Sequence, residues 1–591
     1  MNKSIQKYNT HSYGFGILFF INLIIFYIAF GPRFLNPNDF LFTNSYDGIK
    51  NYYNYIYHTT IGTDWLRYTG MNYPFTDHIL FTDNTPVLGF FVKAFGLRSY
   101  AIPIYNLFFI IPFLFTAPLA YGIGRELNFQ PLLNIVFSLS VVWLHPMLFN
   151  MGEWVNLSMS IYFLLGIFLF IRWTKLKGYG IKYLIAMSVL VIVSSLTHLY
   201  YLPLVLFLIG PAVAYNLGFG PRVKAIIGLG VLLFSALAVI LFAKLTDPMA
   251  ALRPTEVLGY NAPGLTCAWS DYMKSYECLS LPAFFEQENW NIEKLTFMGS
   301  AFPLVILVGI ALLWIGRKEI RKSISAPQHK LICAIAAGSL ICYFTSLGTK
   351  LEMFNDNFKI YNFLNPLNIL SEISVSAKNF RSMARFSLPA YTGLLLCGFY
   401  ILNVFIQTPK YRVLKIGIVT IISIIYIIDV AQMTMHTIIA ANQPNIFNEA
   451  HNASLPLIDE STYAALLPLP YYHVGTEKKG WIIDDNNFWS RETYRRALHY
   501  KLPLMSCKMS RTPLYTAEKL FSLFGDKPDA ELMTLIKGKK ILICEDTVYK
   551  KMNIDTEPAK TIAVSHEQFI EKWQPTFLLE KDGVKYYELE F

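Results

Sequence analysis

Eleven apolar runs, separated by short connections that carry basic residues, constrain the fold of this chain more than any other feature. A membrane-spanning helix needs ~20 apolar residues, and most of the runs approach that length. The 591-residue chain is 54% hydrophobic and 15% charged, with a mean hydropathy of +0.38, which excludes an ordinary water-soluble domain. The sequence therefore predicts an α-helical polytopic membrane protein with about 11 transmembrane helices. The runs are 13–30, 101–123, 131–149, 157–171, 183–196, 202–217, 225–242, 302–315, 331–347, 386–405 and 416–430.

The basic residues orient this array. Lys and Arg are enriched in cytoplasmic loops. With the N-terminus, which carries Lys3 and Lys7, in the cytoplasm, every even-numbered connection carries them. The formal net charge of +10 is thereby assigned to topology, and no nucleic-acid function is inferred from it. The long polar connections 31–100, 244–301 and 348–385 then lie outside, as does the C-terminal tail.

The chain divides into two predicted parts. Residues 1–440 form a transmembrane module with a long first outer loop at 31–100, and residues 441–591 are denser in Asp, Glu and Lys. Short strand and helix patterns in the second part predict a small extracytoplasmic α/β domain. Cys267 and Cys278 share one polar connection and form either a disulfide or two free thiols. Frequent Lys, Ile, Asn and Tyr are typical of an AT-rich bacterial genome, so we expect an inner-membrane protein with a periplasmic tail.

Asp47 follows the first apolar run by a short interval and precedes Gly48, within "NSYDGIKNYYNYIYHTT". A carboxylate near hydrocarbon and aromatic rings has a raised pKa and can accept a proton from an incoming hydroxyl, so Asp47 is a candidate general base. The alternative is an N-cap of the helix that begins near Gly48, because Asp is a favoured capping residue. Both interpretations remain open on the sequence alone.

Further polar candidates lie on the same predicted side. Asp77 and His78 are catalytic candidates in "MNYPFTDHILFTDNTP", where Tyr73 and Asp83 are candidate substrate-binding residues. Asp77, His78 and Asp83 together with Asp47 have the ligand types that suit Mg²⁺ or Mn²⁺, or they are solvated loop residues. Two more candidate substrate-binding residues lie at the outer ends of predicted spans. The alternative interpretation is that they are ordinary residues of the membrane interface. These are His198 and Glu153.

Three basic residues precede the tenth apolar run, in "SVSAKNFRSMARFSLPA". Lys378, Arg381 and Arg385 would share one face of a helix. Positive charge is normally depleted on the outer side, so this cluster favours a phosphate ligand, which a guanidinium binds through two-point contacts. Anchoring to membrane lipid headgroups is the alternative.

The arrangement resembles the GT-C class of membrane glycosyltransferases, which use polyprenyl-phosphate-linked sugars. "SYDG" at 45–48 matches the position of the acidic base of that class, and "FRSMARF" at 380–386 is similar to an Arg-rich segment before a late span in bacterial members. The resemblance implies Asp47 as the catalytic carboxylate and Arg381 with Arg385 as donor-phosphate ligands. The first outer loop has no adjacent acidic pair and the chain has no WWD-like sequence, so a metal requirement and a protein acceptor stay open.

The expected function is transfer of a hexosyl or pentosyl group from a polyprenyl-phosphate-linked donor to an extracytoplasmic glycan, lipid or protein. Two non-catalytic alternatives remain: a transporter or flippase of lipid-linked sugars, and an envelope assembly protein. A transporter predicts charged or broken helices near the membrane midplane and often an internal repeat. The predicted spans are nearly free of charge, and no repeat is evident.

Overall fold

The computed structural model is mostly helical. It describes residues 2–44, 46–254, 265–268, 271–272, 292–315, 326–353, 358–408, 411–440, 443–478, 480–484, 487–548, 557, 559–560 and 566–591. Within these residues, eight helices are long and apolar enough to cross a membrane by length and composition, and three more apolar helices are shorter. The chain is thus a multi-pass membrane protein. Cys278 lies outside the described residues, so its pairing with Cys267 stays a prediction.

Each of the eleven apolar runs lies in a helix. The run 131–149 is divided, because the helix Pro131–Trp143 ends before Pro146 and a second helix, Met147–Glu153, follows. A residue that precedes proline is disfavoured in the α-helical region, so the break falls at His145. The helices that contain the runs are Asn2–Phe30, Ala101–Glu126, Pro131–Trp143, Ile161–Lys175, Ile181–Thr197, Tyr201–Phe219, Arg222–Thr246, Phe302–Ile315, Ala326–Ser346, Ser387–Gln407 and Arg412–Ala440.

Small residues let the central helices approach closely. A Cβ atom added at Gly338 would lie 1.9 Å from the main-chain oxygen of Leu208, and one added at Gly393 would lie 1.8 Å from Oγ of Ser339. These glycines join the helix Ala326–Ser346 to both of its neighbours. Without water to drive association, such close contact of helix backbones is a main source of stability for helices in a membrane.

The long connections meet at one end of the bundle, which we call the loop-rich face. The strand Phe40–Leu41 pairs with Gln443–Pro444, which follows the helix Arg412–Ala440. Buried Arg253 forms an ion pair with Asp77 of the first long loop at 2.6 Å. Residues of the first loop, of the 247–301 connection and of the C-terminal region are therefore held together at this face.

The Tyr and Asn residues that follow Asp47 are buried rather than presented to a membrane surface or a ligand. They lie on the helix Tyr46–Ile56, where Tyr53 and Asn54 have no exposed surface. The hydroxyl of Tyr53 donates a hydrogen bond to the main-chain oxygen of Gly70 at 2.7 Å, and its ring stacks on Tyr494 at 4.6 Å. This helix thus packs between the bundle and the C-terminal region.

The C-terminal region contains a four-stranded mixed sheet with its own apolar core. Its strands, in spatial order, are Thr576–Lys581, Val584–Glu590, Lys540–Asp546 and Ala465–Leu469, and only the last pair is parallel. The helices of this region are Glu449–Asn452, Asn487–His499, Leu514–Phe521, Ala530–Ile536 and His566–Trp573. Shorter strand pairs are Arg67–Tyr68 with Asp77–His78, Lys350–Met353 with Phe358–Tyr361, and His473–Val474 with Cys507–Lys508.

Main-chain hydrogen bonds fix the C-terminal region to the first long loop. The amide of Leu504 donates to Gly70, and the amide of Tyr73 donates back to Leu504, both at 2.9 Å. The amide of Ser510 donates to the oxygen of Phe81 at 2.9 Å. These contacts bring the segment 504–511 onto the loop-rich face.

Candidate active site

Asp47 and Lys50 begin the candidate site on the first turns of the helix Tyr46–Ile56. Residues three apart share one face of a helix, and Nζ of Lys50 lies 3.3 Å from Oδ1 of Asp47. The same Nζ lies 2.9 Å from Oδ2 of Asp83, so one buried ammonium group bridges two carboxylates. Gly48 allows the helix to lie here, because a Cβ at that position would be 2.0 Å from the side chain of Thr43.

Three chain segments supply the groups around the carboxylate of Asp83, the first being the helix with Lys50. Nε2 of His198, at the end of the helix Ile181–Thr197, lies 3.4 Å from Oδ1 of Asp83. The hydroxyl of Ser510, from the C-terminal region, donates to Oδ2 at 3.3 Å. Asp83 itself has a φ of +55°, a left-handed conformation that is uncommon for a residue other than glycine and often marks a functional site.

Asp47 also receives a group from the C-terminal region. Nζ of Lys508 lies 3.9 Å from Oδ1 of Asp47, and the indole Nε1 of Trp154 donates a hydrogen bond to Oδ2 at 3.2 Å. The Asp47 side chain is 37% exposed, compared with 18% for Asp83. Of the two carboxylates, Asp47 is thus the more accessible to a substrate. We call Asp47, Lys50, Asp83, His198 and Lys508 the carboxylate cluster.

The cluster holds both carboxyl groups ionised. Desolvation works to raise the pKa of Asp47, but the ammonium groups of Lys50 and Lys508 outweigh it and leave this pKa below its usual value. The pKa of Asp83 is lowered for the same reason, with Lys50 and His198 outweighing desolvation. Desolvation lowers the pKa of His198. The raised pKa that the sequence led us to expect for Asp47 is therefore wrong, because that expectation left out the ammonium groups of Lys50, three residues away, and of Lys508 from the C-terminal region.

Arg385 lies beside this cluster, on the turn Met383–Phe386. Its guanidinium group lies 4.5 Å from the ring centre of Tyr200 and 5.5 Å from that of Trp154, within the range of cation–π attraction. It donates two hydrogen bonds to Glu293, at 2.7 and 3.0 Å, in the two-point geometry that a phosphate would also satisfy. Trp154 thus contacts both Arg385 and Asp47.

The other predicted site residues divide between this site and its surroundings. Arg381 forms an ion pair with Glu477 of the C-terminal region. Glu153 lies close enough to Asp47 to interact with it electrostatically. Lys378 is exposed on the turn Val375–Asn379 and has no assigned contact with the carboxylate cluster.

Asp77, His78 and Tyr73 are placed elsewhere. Asp77 pairs with Arg253, which also binds Asp247 at 2.5 Å, and all three are buried. His78 lies 2.9 Å from the hydroxyl of Thr246 at the end of a long helix. The main chain of Tyr73 forms the junction with the segment 504–511 described above. The structure thus places Asp77 in a second buried ion-pair network and His78 next to Thr246, and neither residue lies in the carboxylate cluster.

The carboxylate cluster does not fit a divalent cation. Nζ of Lys50 lies between Asp47 and Asp83, where a metal ion shared by the two carboxylates would have to lie. Across the residues that the structure describes, no group of three or more His, Cys, Asp or Glu side chains is arranged to hold a metal ion. We therefore derive no step through Mg²⁺ or Mn²⁺.

Comparison with protein families gives one match. A family model described as a domain of unknown function (DUF6311) matches residues 19–431, which is more than half of the chain. The chain belongs to the DUF6311 family. The match ends within the helix Arg412–Ala440, so the C-terminal sheet of this DUF6311 protein lies beyond it. No curated protein matches the chain.

Three solved structures are similar to this DUF6311 protein. ArnT from Cupriavidus metallidurans, bound to undecaprenyl phosphate, is 11% identical with a TM-score of 0.47, over 97% of this chain and 98% of that one. The oligosaccharyltransferase AglB from Archaeoglobus fulgidus, in complex with an inhibitory peptide and a dolichol-phosphate, is 11% identical with a TM-score of 0.44, over 98% and 74%. The mycobacterial arabinofuranosyltransferase AftD is 12% identical with a TM-score of 0.38, over 98% and 41%. At TM-scores below 0.5, the activity of this DUF6311 protein has to be argued from its own residues.

Sequence reasoning missed several members of the site. Lys508 and Ser510 lie in the C-terminal region, to which no chemistry was assigned, and nothing in their local sequence relates them to Asp47 or Asp83. Glu293 lies in a long polar connection without a recognisable motif. Lys50 was the one detectable omission, because its spacing of three residues from Asp47 on an expected helix predicts an ion pair.

Proposed function

We propose that this protein transfers a glycosyl group from a polyprenyl-phosphate-linked donor to an extracytoplasmic glycan, lipid or protein. The observation that carries the proposal is the carboxylate cluster, in which Asp47 is ionised, partly exposed and joined through Trp154 to Arg385. A base and a phosphate ligand are thus side by side at the loop-rich face. That is where an amphiphilic donor in the membrane and a hydrophilic acceptor can meet.

In the proposed reaction Asp47 accepts the proton of the acceptor hydroxyl. The acceptor oxygen forms a bond to the anomeric carbon of the donor, while the bond from that carbon to the phosphate oxygen breaks and its electron pair stays on the phosphate. The hydroxyl becomes strongly acidic only as its oxygen bonds to the sugar, so a carboxylate that is already ionised and correctly placed is effective even with a lowered pKa. The products are a glycoside and polyprenyl phosphate.

The leaving phosphate gains negative charge in this step. Arg385 is placed to bind it in exchange for Glu293, because both anions use the same face of the guanidinium group. Lys508 is 3.9 Å from Asp47 and can also turn toward a phosphate. Fixed cations that face developing negative charge lower the barrier, and they act most strongly where water is excluded.

The remaining parts of the proposal concern organisation. We propose about eleven membrane spans within residues 1–440, with a cytoplasmic N-terminus in a bacterial inner membrane. Residues 441–591 form a periplasmic domain that supplies Lys508 and Ser510 to the site. The three long connections and the C-terminal region meet at one face of the bundle. This supports the proposal that all of them lie on the same side of the membrane.

The test uses purified protein in proteoliposomes with a panel of radiolabelled polyprenyl-phosphate sugars and a crude surface-glycan acceptor. Release of free polyprenyl phosphate is measured for the wild type, Asp47→Asn and Asp459→Asn. Asp459 is an exposed capping carboxylate in the C-terminal region and controls for loss of a charge. We expect Asp47→Asn to lose on the order of a hundredfold or more of the rate, as is typical for a general base.

Two outcomes would contradict the proposal. If Asp47→Asn is as active as the wild type, Asp47 is not the base. If the wild type binds the lipid donor tightly but releases no polyprenyl phosphate with any donor in the panel, the transporter or flippase alternative replaces the enzymatic one. Counterflow of a labelled donor across the proteoliposome membrane would then be the next measurement.

A further inference from the structure

The segment "NFLNPLNILSEI", residues 362–373, has an inverted polarity. It lies between two apolar helices, Ala326–Ser346 and Ser387–Gln407, and ends in the short helix Pro366–Ile373. Its three asparagines are spaced three residues apart and are almost completely buried, whereas Phe363 and Leu364, between the first two, are exposed. In a soluble protein this pattern would be reversed. The asparagines are Asn362, Asn365 and Asn368, which are 1%, 0% and 2% exposed.

The buried asparagines anchor the segment to the end of the helix Ala326–Ser346. Asn362 donates to the main-chain oxygens of Phe344 and Gly348, at 2.6 and 2.8 Å, and Asn365 also donates to Gly348, at 3.0 Å. These bonds satisfy carbonyl groups that a helix leaves unpaired at its C-terminus. The asparagine side also includes Asn368, which donates to the oxygens of Thr349 and Asn362. The inner face of the segment is therefore fixed in orientation by several independent bonds.

The outer face is mainly apolar, with Glu372 as an exposed charged residue next to Ile373. Phe363 is 75% exposed and Ile373 is 78% exposed, and five further large apolar residues of the segment and of the preceding strand are at least 40% exposed. Monomeric proteins in water rarely expose so many neighbouring apolar side chains unless a partner or a membrane covers them. The five are Ile360, Tyr361, Leu364, Ile369 and Leu370. We call the seven residues the apolar ridge.

We propose that the apolar ridge inserts into the outer leaflet of the membrane, with its side chains at the boundary between headgroups and acyl chains. The occupant is the bilayer because the asparagine hydrogen bonds hold the segment against the end of the helix Ala326–Ser346, which is long and apolar enough to cross a membrane. Exposed Lys350 and Lys378 flank the ridge, and basic residues at this depth complement anionic lipid headgroups.

Insertion of the ridge sets the depth of the residues that follow it. Arg381 follows the end of the helix Pro366–Ile373 by eight residues, and Arg385 lies on the turn Met383–Phe386 directly after it. With the ridge at the acyl boundary, these guanidinium groups lie near the level of lipid phosphates. The ridge thereby defines the side of the protein from which a membrane-dissolved phosphate reaches Arg385.

The test is carbene labelling with photoactivatable phospholipids. The full chain is reconstituted in vesicles of phosphatidylethanolamine and phosphatidylglycerol that contain a phospholipid with a diazirine either near the glycerol or at the end of one acyl chain. Labelled peptides are mapped by mass spectrometry. The peptide with Phe234, which is 72% exposed on a long apolar helix, is the positive control, and the peptide with Leu457, 99% exposed in the C-terminal region, is the negative control.

We expect the near-glycerol diazirine to label Phe363, Ile369 and Ile373 as strongly as the terminal diazirine labels the peptide with Phe234, which lies at the middle of its helix, and the terminal diazirine to label the three ridge residues several-fold less. In the double variant Phe363→Ser with Ile373→Ser, labelling of this segment falls while labelling of the Phe234 peptide is unchanged, which shows that the protein remains folded in the bilayer. Labelling of the ridge no stronger than that of the Leu457 peptide would overturn the proposal. So would labelling that added polyprenyl phosphate abolishes, because the ridge would then bind the isoprenoid chain. Neither readout depends on catalytic activity.

Discussion

Replacing Lys508 by Met tests whether the C-terminal region tunes the proposed base. The ammonium group lies 3.9 Å from Asp47, whose side chain is 37% exposed, so the interaction is largely screened by water. With the dielectric constant of water, two unit charges at this distance attract by about 1 kcal/mol. Loss of the ammonium therefore raises the pKa of Asp47, because the ionised carboxylate loses this stabilisation.

The direction of the effect on the rate follows from the protonation state. Asp47 accepts a proton only when it is ionised, so the rate falls as the pH drops through its pKa. A raised pKa moves this acid limb to higher pH, and the loss of about 1 kcal/mol of attraction lowers the rate on the limb by about sixfold. Because exposed charges are screened by salt, the shift should decrease as ionic strength rises.

The assay is the pH dependence of polyprenyl phosphate release at saturating donor, between the acid limb and neutrality. Lys508→Arg keeps the positive charge and should leave the acid limb near its wild-type position. Lys519→Met removes a Lys from the same region, where it pairs with Asp529, and controls for altered net charge. An acid limb for Lys508→Met that coincides with that of the wild type would refute the electrostatic role of this residue.

Three further substitutions test the surroundings of the site. Glu293→Gln should tighten the binding of polyprenyl phosphate about tenfold in an equilibrium binding assay. The substitution removes a charged competitor for Arg385, and such hydrogen bonds contribute ~1.5–3 kcal/mol. Weaker binding would contradict the exchange of anions. Asp77→Asn should lower the free energy of unfolding in detergent by about 2 kcal/mol, since buried Arg253 loses one of its two carboxylates. The rate per folded molecule should change little. A rate loss like that of Asp47→Asn would instead make Asp77 catalytic. Gly475→Ala should destabilise the C-terminal region by more than ~1 kcal/mol, which would be seen as faster limited proteolysis. The φ angle of Gly475 is +129°, and a Cβ atom there would lie 2.2 Å from the main-chain oxygen of Met509. Unchanged proteolysis would contradict this prediction.

The helices could be predicted from the sequence because they depend on local composition. Every apolar run lies in a helix, and the expected ends differ by a few residues in most cases. The exceptions have local causes as well. The first helix begins at Asn2, well before its apolar part, and the third run is divided at His145 by the proline that follows it. The number of these helices that span the membrane stays a prediction.

The site could be predicted only in part. Topology alone grouped Asp47, Asp83, His198 and Arg385 on one side, and the structure brings these four together. Topology could not predict that Lys508 is a cation partner that lowers the pKa of Asp47, because Lys508 reaches the site through tertiary packing. Nor could it separate Asp77 from Asp83, which are six residues apart but point into different ion-pair networks on either side of the turn Ile79–Phe81.

The charges of the site give a reason for the packing of the C-terminal region against the first long loop. Lys50 alone bridges Asp47 and Asp83 and cannot neutralise both carboxylates, so a second cation is needed where the first long loop meets water. The segment 504–511 supplies it through Lys508 and is itself held by main-chain bonds to that loop. Displacing this segment would leave Asp47 and Asp83 to share the ammonium group of Lys50, and incompletely compensated charge in a partly buried site is costly. Docking of the C-terminal region and ionisation of the proposed base are therefore coupled, and each stabilises the other.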